Sequence, residues 1–239
     1  YYGQTQFEAS PLNRVVKTLT AGNNWVGSNR GIEMKYWQNT TLDSVRIWNV
    51  TNNSGTFGSY ASSSTFSANQ LYKNVTIDEY GKQVIEFKDK EGKIILKKIQ
   101  LSATSDTGYG CGHTGWVCTY YIYDNFNNLR CVIQPRGVEL ISSSWTLTDA
   151  TILSEQCFRY EYDERARMMM KKIPGAGIVY MIYDPRDRLV FPQDSNMRVK
   201  NWWMPTLYDG LNRASAIGIT ESTGTVAQMT SDTADHHTL

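Results

Sequence analysis

Proline is scarce, at 6 of 239 residues, and no apolar run approaches the ~18–20 residues that a membrane-crossing helix needs. A helical membrane span is therefore excluded. Lysine and arginine are scattered, and the formal net charge is only +1. A nucleic-acid binder needs clustered cations to neutralise phosphates, so that partner class is excluded too. Neither a Cys-x-x-Cys pair nor a Cys/His zinc spacing occurs. Gly175-Ala176-Gly177 lacks the Gly-Lys-Ser/Thr ending and the helix of a phosphate-binding loop. The given residues carry no signal-peptide pattern, and the chain opens at Tyr1 without Met. Both ends are expected to be cuts in something longer.

Aromatic residues, by contrast, reach 12%, with 15 Tyr and 7 Trp, a composition that favours half-buried strands. One short pattern recurs: Asp, two variable residues, a turn-former, then a cation or Asn. Its copies start at Asp78 (with Gly81), Asp89 (Gly92), Asp124 (Asn127), Asp163 (Ala166), Asp184 (Asp187) and Asp209 (Asn212). Ser10-Pro11-Leu12-Asn13-Arg14 is a further copy with Ser in the leading place. Tyr123, Tyr162, Tyr183 and Tyr208 precede the last four aspartates. The fourth position is almost always a residue that tolerates positive φ, and the leading Asp can accept from turn amides. Turn chemistry accounts for the motif without catalysis.

The flanks alternate with period two. Phe158, Tyr160 and Tyr162 oppose Arg159 and Glu161; Ile85 and Phe87 oppose Val84, Glu86 and Lys88. Ile95, Ile99 and Leu101 alternate with Leu96 and Lys98, and Tyr121 and Tyr123 with Tyr120 and Ile122. Such runs between turn-formers read as β-hairpins. Successive aspartates are 11, 21 or 25 residues apart (Asp78 to Asp89, Asp163 to Asp184, Asp184 to Asp209), a looser spacing than a strict solenoid. Thr51–Asn69 and Ser102–Gly115 read as loop excursions, and 147–153 as a short helix capped by Thr148. The expectation is an all-β chain of antiparallel hairpins in a curved, open sheet with a minor short helix. Residues 1–239 form a single region, less regular over 1–75, clearer over 76–220, with a flexible tail at 221–239.

Four cysteines, Cys111, Cys118, Cys131 and Cys157, fit two disulfides or four buried thiols. The pairing expected if they bridge is Cys111–Cys118 and Cys131–Cys157, which would imply an oxidising compartment. His113 lies between the first two, where a loop role outweighs a Cys–His catalytic pair. His236 and His237 sit in a polar tail and read as solvated. Adjacent acids such as Asp78/Glu79 and Asp163/Glu164 point to opposite faces of a strand and do not converge on a substrate. No residue set stands out as catalytic, cofactor-binding or metal-ligating.

The ordered set of motifs resembles the YD repeats of Rhs-type proteins. Phe158-Arg159-Tyr160-Glu161-Tyr162-Asp163, then 171–177, then Val179-Tyr180-Met181-Ile182-Tyr183-Asp184 is similar to a block of Rhs-repeat proteins of Bacteroidetes. Ser10-Pro11-Leu12-Asn13-Arg14 and residues 86–92 are similar to the amino-terminal region of that group. The usual Gly-Arg after the turn is replaced by Asn127-Asn128, Ala166-Arg167 and Asp187-Arg188. The resemblance implies YD hairpins joined edge to edge into a hollow shell, as in Rhs proteins, Tc toxins and teneurins. It implies a secreted or cell-surface, non-catalytic wall segment whose partners are the rest of its polypeptide and a toxin or other cargo. Open strand edges imply self-association. The competing reading is an adhesion or carbohydrate-binding module using exposed Tyr and Trp, with Trp202-Trp203 as the first candidates.

Overall fold

The computed structural model describes residues 2–53 and 55–235. Two interleaved compact units emerge: one takes the residues up to Asn49, Ala61–Ile122 and Ile133–Thr146, the other Val50–Tyr60, Tyr123–Val132 and the residues from Leu147 onward.

In the first unit the main sheet contains β1 (Gln4–Phe7), β2 (Val15–Leu19) and β3 (Ile32–Gln38). After β4 (Arg46–Thr51) and β5 (Ser59–Thr65), which belong to a separate small sheet, it continues through β6 (Tyr72–Ile77), β7 (Gln83–Lys88), β8 (Ile94–Gln100) and β9 (Trp116–Tyr123). The neighbour order is β1-β2-β3-β6-β7-β8-β9, these neighbours pair antiparallel, and the sheet is not closed. One face carries the core: Val75, Ile85, Phe87, Leu96, Trp116, Tyr120 and Ile122 are all buried. Each such side chain contributes ~1.5–3 kcal/mol by leaving water. Helix α1 (Pro135–Ile141) adds Val138 and Ile141.

The second unit orders β10 (Leu129–Ile133), β12 (Cys157–Tyr162), β13 (Met168–Lys172), β14 (Ile178–Tyr183) and β15 (Leu189–Gln193) side by side, β11 being the short Thr146–Leu147. The corners led by Asp124, Asp163, Asp184 and Asp209 belong to this unit, and those led by Ser10, Asp78 and Asp89 to the first. Two small pairs follow, β16 (Trp202–Trp203) with β19 (Thr220–Glu221) and β17 (Thr206–Tyr208) with β18 (Ala214–Ile217). Helices α2 (Ala150–Glu155), α3 (Ser195–Val199) and α4 (Val226–Asp235) complete it.

Three local expectations are revised. The stretch 51–69 is not merely a loop: it contains β5, and Phe57, Tyr60 and Ser62 are buried. The helix near 147–153 starts later. Asp149 rather than Thr148 caps α2, its carboxylate accepting the Thr151 and Ile152 amides at 2.8 and 2.9 Å, because an ionised acceptor outcompetes a hydroxyl at a helix start. Helix also forms in the polar carboxy-terminal segment, where Thr225 and Gln228 exchange hydrogen bonds in a capping box ahead of α4.

The alternation of the sequence is present, but its buried side is not always the more apolar one. Leu96 and Lys98 are wholly buried, whereas Ile99 and Leu101 are exposed. Glu161 likewise lies on the buried side of β12. The reason is electrostatic: each inward charge meets a partner carried by a distant segment.

Every hairpin corner turns through a left-handed residue. The φ angles are +81° at Gly81, +86° at Gly92, +66° at Asn127, +58° at Ala166, +64° at Asp187 and +60° at Asn212, with +49° at Asn13. Alanine has neither the freedom of glycine nor the polar side chain of asparagine to offset that conformation, which costs about 1–2 kcal/mol. Replacing Ala166 with Gly should therefore stabilise the chain by roughly 0.5 to 1 kcal/mol after the added freedom of the unfolded chain is subtracted. Chemical denaturation of the two proteins would show it as a higher midpoint at unchanged slope.

Candidate functional site

The corners form the most regular chemistry of the chain. Within each, the leading aspartate's Oδ1 accepts two backbone amides, two and four residues on. The pairs are Tyr80 and Lys82 on Asp78, Glu91 and Lys93 on Asp89, Phe126 and Asn128 on Asp124, Arg165 and Arg167 on Asp163, Arg186 and Arg188 on Asp184, and Leu211 and Arg213 on Asp209, all at 2.8–2.9 Å. At the Ser10 copy the work is divided: the hydroxyl takes the Leu12 amide and Glu8 takes that of Arg14. Burial alone would push the Asp163 and Asp184 carboxyls up, but these amides and the Arg167 and Arg188 guanidiniums hold both below the usual carboxylate range.

The tyrosine of the motif serves a different hairpin from its aspartate. Tyr162 donates its hydroxyl to the Leu129 carbonyl at 3.1 Å, Tyr183 to Met168 at 3.1 Å, and Tyr208 to Leu189 at 3.0 Å. Each acceptor is the first residue after the preceding corner. Tyr36 makes the same bond to Val15 at 2.8 Å, next to the Ser10 corner. The last arginine of a corner then lies over the next tyrosine ring: Arg14 on Tyr36, Arg167 on Tyr183 and Arg188 on Tyr208, at 4.2, 5.0 and 4.8 Å from the ring centroids. Neighbouring corners are tied directly as well, Arg165 and Arg167 both pairing with Asp187. A Tyr-Asp step is thus a clasp: Asp closes its own turn and Tyr fastens the previous one.

A second cluster is buried in the first unit. Lys73 of β6 lies between Asp43 and Asp106, pairing with Asp43 at 2.6 Å and with Asp106, and all three side chains are shielded from solvent. Asp43 ends the single helical turn Thr41–Asp43, and Asp106 sits in the 102–115 excursion. Lys98 of β8 gives its protons to the carbonyls of Asp43, Cys111 and Gly112 at 2.9, 2.5 and 3.0 Å. Burial pulls the Lys98 ammonium below its ordinary value. Burial pushes Asp106 up, but Lys73 and the Gly108 and Gly110 amides more than offset it, leaving Asp106 lowered. Asp43, Asp106 and Cys111 bring three donor atoms within 4.8 Å of one another, yet the Lys73 ammonium already supplies the cation they would share. In the second unit Arg130 forms the equivalent pairing, with Glu161 and with Asp124 at 3.2 Å.

All four cysteines are free in this structure, one of the two arrangements the composition left open. Cys131 and Cys157 are wholly buried, and burial, then the neighbouring Cys157, pushes the Cys131 thiol well above its ordinary value. Cys111 is engaged with Asp43 and Lys98, its amide donating to the Asp43 carboxylate at 3.1 Å, while Cys118 points to the Trp116 carbonyl. Burial pushes both of the latter thiols up to about 11, away from nucleophilic character. His113 uses Nε2 on the Tyr120 hydroxyl at 2.8 Å and stacks on that ring. Its neighbours Trp48 and Trp145 complete an aromatic cluster around Tyr120. Trp203 is buried and offers no face to a ligand, and Trp202 has Lys200 over its ring. His236 and His237 lie outside the described residues. The buried lysine network was not singled out from the sequence: its members lie on four separate segments, and its only local signal is a lysine inside an otherwise apolar strand face.

A family model described as a domain of unknown function (DUF6443) matches residues 1–38. No curated protein sequence matches the chain. Among solved structures, the chain is similar to a crystal structure of TcdB2-TccC3-TEV, at 12% identity and a TM-score of 0.47, covering 93% of this chain and 10% of that one. A Tc holotoxin pore from Photorhabdus luminescens carrying a TccC3 mutation gives 10% identity and a TM-score of 0.45, covering 94% and 13%. The chain thus spans about a tenth of the length of these structures.

Two measurements probe the site. Tyr183→Phe removes one neutral hydrogen bond and should cost about 1 kcal/mol, whereas Asp184→Ala strands two amides and Arg188 and should cost roughly 2 to 3 kcal/mol; equal losses in urea unfolding would contradict the division of labour between the two residues. Burial, then the nearby Lys98 and Arg46 charges, lower His113 from 6.5 to about 3. The unfolded chain therefore binds a proton that the folded one refuses, so the stabilising contribution is complete above pH 6.5 and is lost as pH falls towards 3. Stability should drop by roughly 2 kcal/mol between pH 6.5 and 5, and His113→Gln should flatten that slope.

Proposed function

We propose that this chain is a wall segment of an Rhs-type shell of the kind found in Bacteroidetes, whose role is to enclose or present a toxin or other cargo outside the cell that makes it. The observation that carries the reading is the Tyr-Asp clasp, in which each hairpin is fastened to the one before it by a tyrosine hydroxyl. An arrangement of this kind extends by repetition and specifies strand order, which is what a wall requires and an active site does not. The ordered resemblance of the motifs to YD repeats supports the same conclusion. The chemically capable groups are committed to structure: the Cys111 and Cys118 thiols are pushed up, His113 is paired with Tyr120, and the corner carboxylates are saturated by amides. The partners are then the rest of the same polypeptide and its cargo.

A second reading, glycan or surface adhesion, has one specific observation in its favour. Tyr36, Trp37, Tyr72, Asn74 and Tyr109 line an open cavity of about 700 Å³ in the first unit, a mixture of aromatic faces and amide groups that suits sugar rings.

The two readings part experimentally. A wall segment separated from its neighbours presents unpaired strand edges, and β1 ends its sheet with Phe7 half exposed. Light scattering on the purified chain should show association that rises with concentration, and a strict monomer across a wide series would remove the wall reading. Saturable quenching of Trp fluorescence by a defined oligosaccharide, lost in Tyr109→Ala, would install the adhesive reading in its place.

A further inference from the structure

The buried cluster of the first unit holds a reactive arrangement that clamping loops does not require. Lys73 stands on β6 opposite Trp37 of β3 and Phe87 of β7, and its ammonium lies 5.8 and 5.5 Å from those ring centroids. Solvent reaches neither Lys73 nor Asp43, and it barely touches Asp106. The two carboxylates that meet the Lys73 ammonium are held differently. Asp43 Oδ1 faces Lys73 Nζ at 2.6 Å and also accepts the Cys111 amide at 3.1 Å, while its Oδ2 accepts the Thr40 amide at 2.8 Å. Asp106 gives Oδ1 to the amides of Gly108 and Gly110 at 2.9 and 3.1 Å, so that Oδ2 is left to Lys73. Lys98, the other buried amine, is fully engaged by three carbonyls and does not compete.

We propose that Lys73 and Asp43 condense in the folded chain to an intramolecular isopeptide bond, with Asp106 carrying the protons. An ammonium and a carboxylate in water do not join, because both are charged and hydrated. Here both groups are shielded from water, and fixing them in contact supplies a large effective concentration. The balance is simple. Two of the three Nζ protons pass by way of Asp106 Oδ2 to Asp43 Oδ1. The Nζ lone pair forms a bond to Asp43 Cγ, and the charge that develops on Oδ2 is met by the Thr40 amide. The Cγ–Oδ1 bond then breaks, Oδ1 leaves as water, and Asp106 finishes as the carboxylate it was at the start. Nothing is oxidised or reduced, and no outside reagent is needed. The product would lock the 30-residue span from Asp43 to Lys73 covalently, a reinforcement suited to a wall and independent of what that wall contains.

Mass spectrometry of the purified, denatured 239-residue chain decides the matter. The intact mass should fall one water molecule below the mass of the sequence, and digestion should yield a branched peptide joining the Lys73 and Asp43 segments. Lys73→Arg keeps the cation but removes the amine, and should read the full sequence mass. Asp43→Asn would expel ammonia instead of water and arrive at the same product mass as the unaltered chain. Asp106→Asn should leave most molecules unlinked. Full sequence mass in the folded, unaltered chain overturns the proposal, as does a branch from Lys73 to Asp106. That reading needs no variant, so a variant that fails to fold does not blunt it.

Discussion

At each corner led by aspartate one carboxylate oxygen accepts two backbone amides, and the strands on either side depend on that contact. A three-residue turn with a left-handed third residue leaves two amides pointing inward with no carbonyl to receive them. The aspartate supplies the missing acceptor, already ionised and placed by the chain itself. Because its second oxygen is free for Arg167, Arg188 or Arg213, the same residue also anchors the cation that leads into the returning strand. At Arg167 and Arg188 that cation covers the tyrosine of the next hairpin, whose hydroxyl returns to the first carbonyl beyond the corner. Turn, strand and next strand are thus parts of one hydrogen-bonded chain, and removing the carboxylate would unmake all three.

This dependence explains which departures from the repeat are tolerated. Asn127-Asn128 and Asp187-Arg188 stand where two other copies have Gly-Lys, yet Asn127 and Asp187 adopt the same left-handed φ as Gly81 and Gly92. Small polar residues reach that region because their side chains bond locally. Ala166 has no such compensation and is held there by its surroundings. Asp187 turns its side chain outward to Arg165 and Arg167, so a residue chosen for its backbone also links two corners. Ser10 shows the lower limit of the motif: a hydroxyl receives one amide and must recruit Glu8 for the other.

Hairpins, their antiparallel order and the residues of the corners are legible in the sequence because each is written within five consecutive positions. What lies beneath the sheet is not. Period-two alternation says that two faces differ, but it does not say which is inward when the inner face carries Lys73, Lys98 and Glu161. Their partners are 30 or more residues away: Asp43 for Lys73, the Asp43 carbonyl for Lys98, Arg130 for Glu161. The two excursions, of which only 51–69 departs from a loop by containing β5, deliver further partners to these buried charges. Residues 102–115 bring in Asp106 and Cys111, while 51–69 bring in Gly58, whose amide donates to Glu161 at 2.7 Å. A Ser- and Gly-rich stretch carries no local mark of such a duty. The α2 cap was misassigned by one residue because Thr148 and Asp149 both satisfy the composition rule and only the stronger acceptor is used.

Buried ion pairs seldom stabilise more than a well-packed apolar core of the same volume, since two charges must first leave water. Their presence under an open antiparallel sheet therefore calls for a reason other than net stability. A sheet built from similar hairpins has little in its own strands to stop one hairpin from slipping past another, because neighbouring surfaces resemble each other. A lysine that can be satisfied only by Asp43 and Asp106 together makes every other register leave a charge stranded in the core. Arg130 with Glu161, Asp124 and Asn52 imposes the same condition in the second unit. The corners allow strands to be added one after another; the buried charges decide which strand goes where.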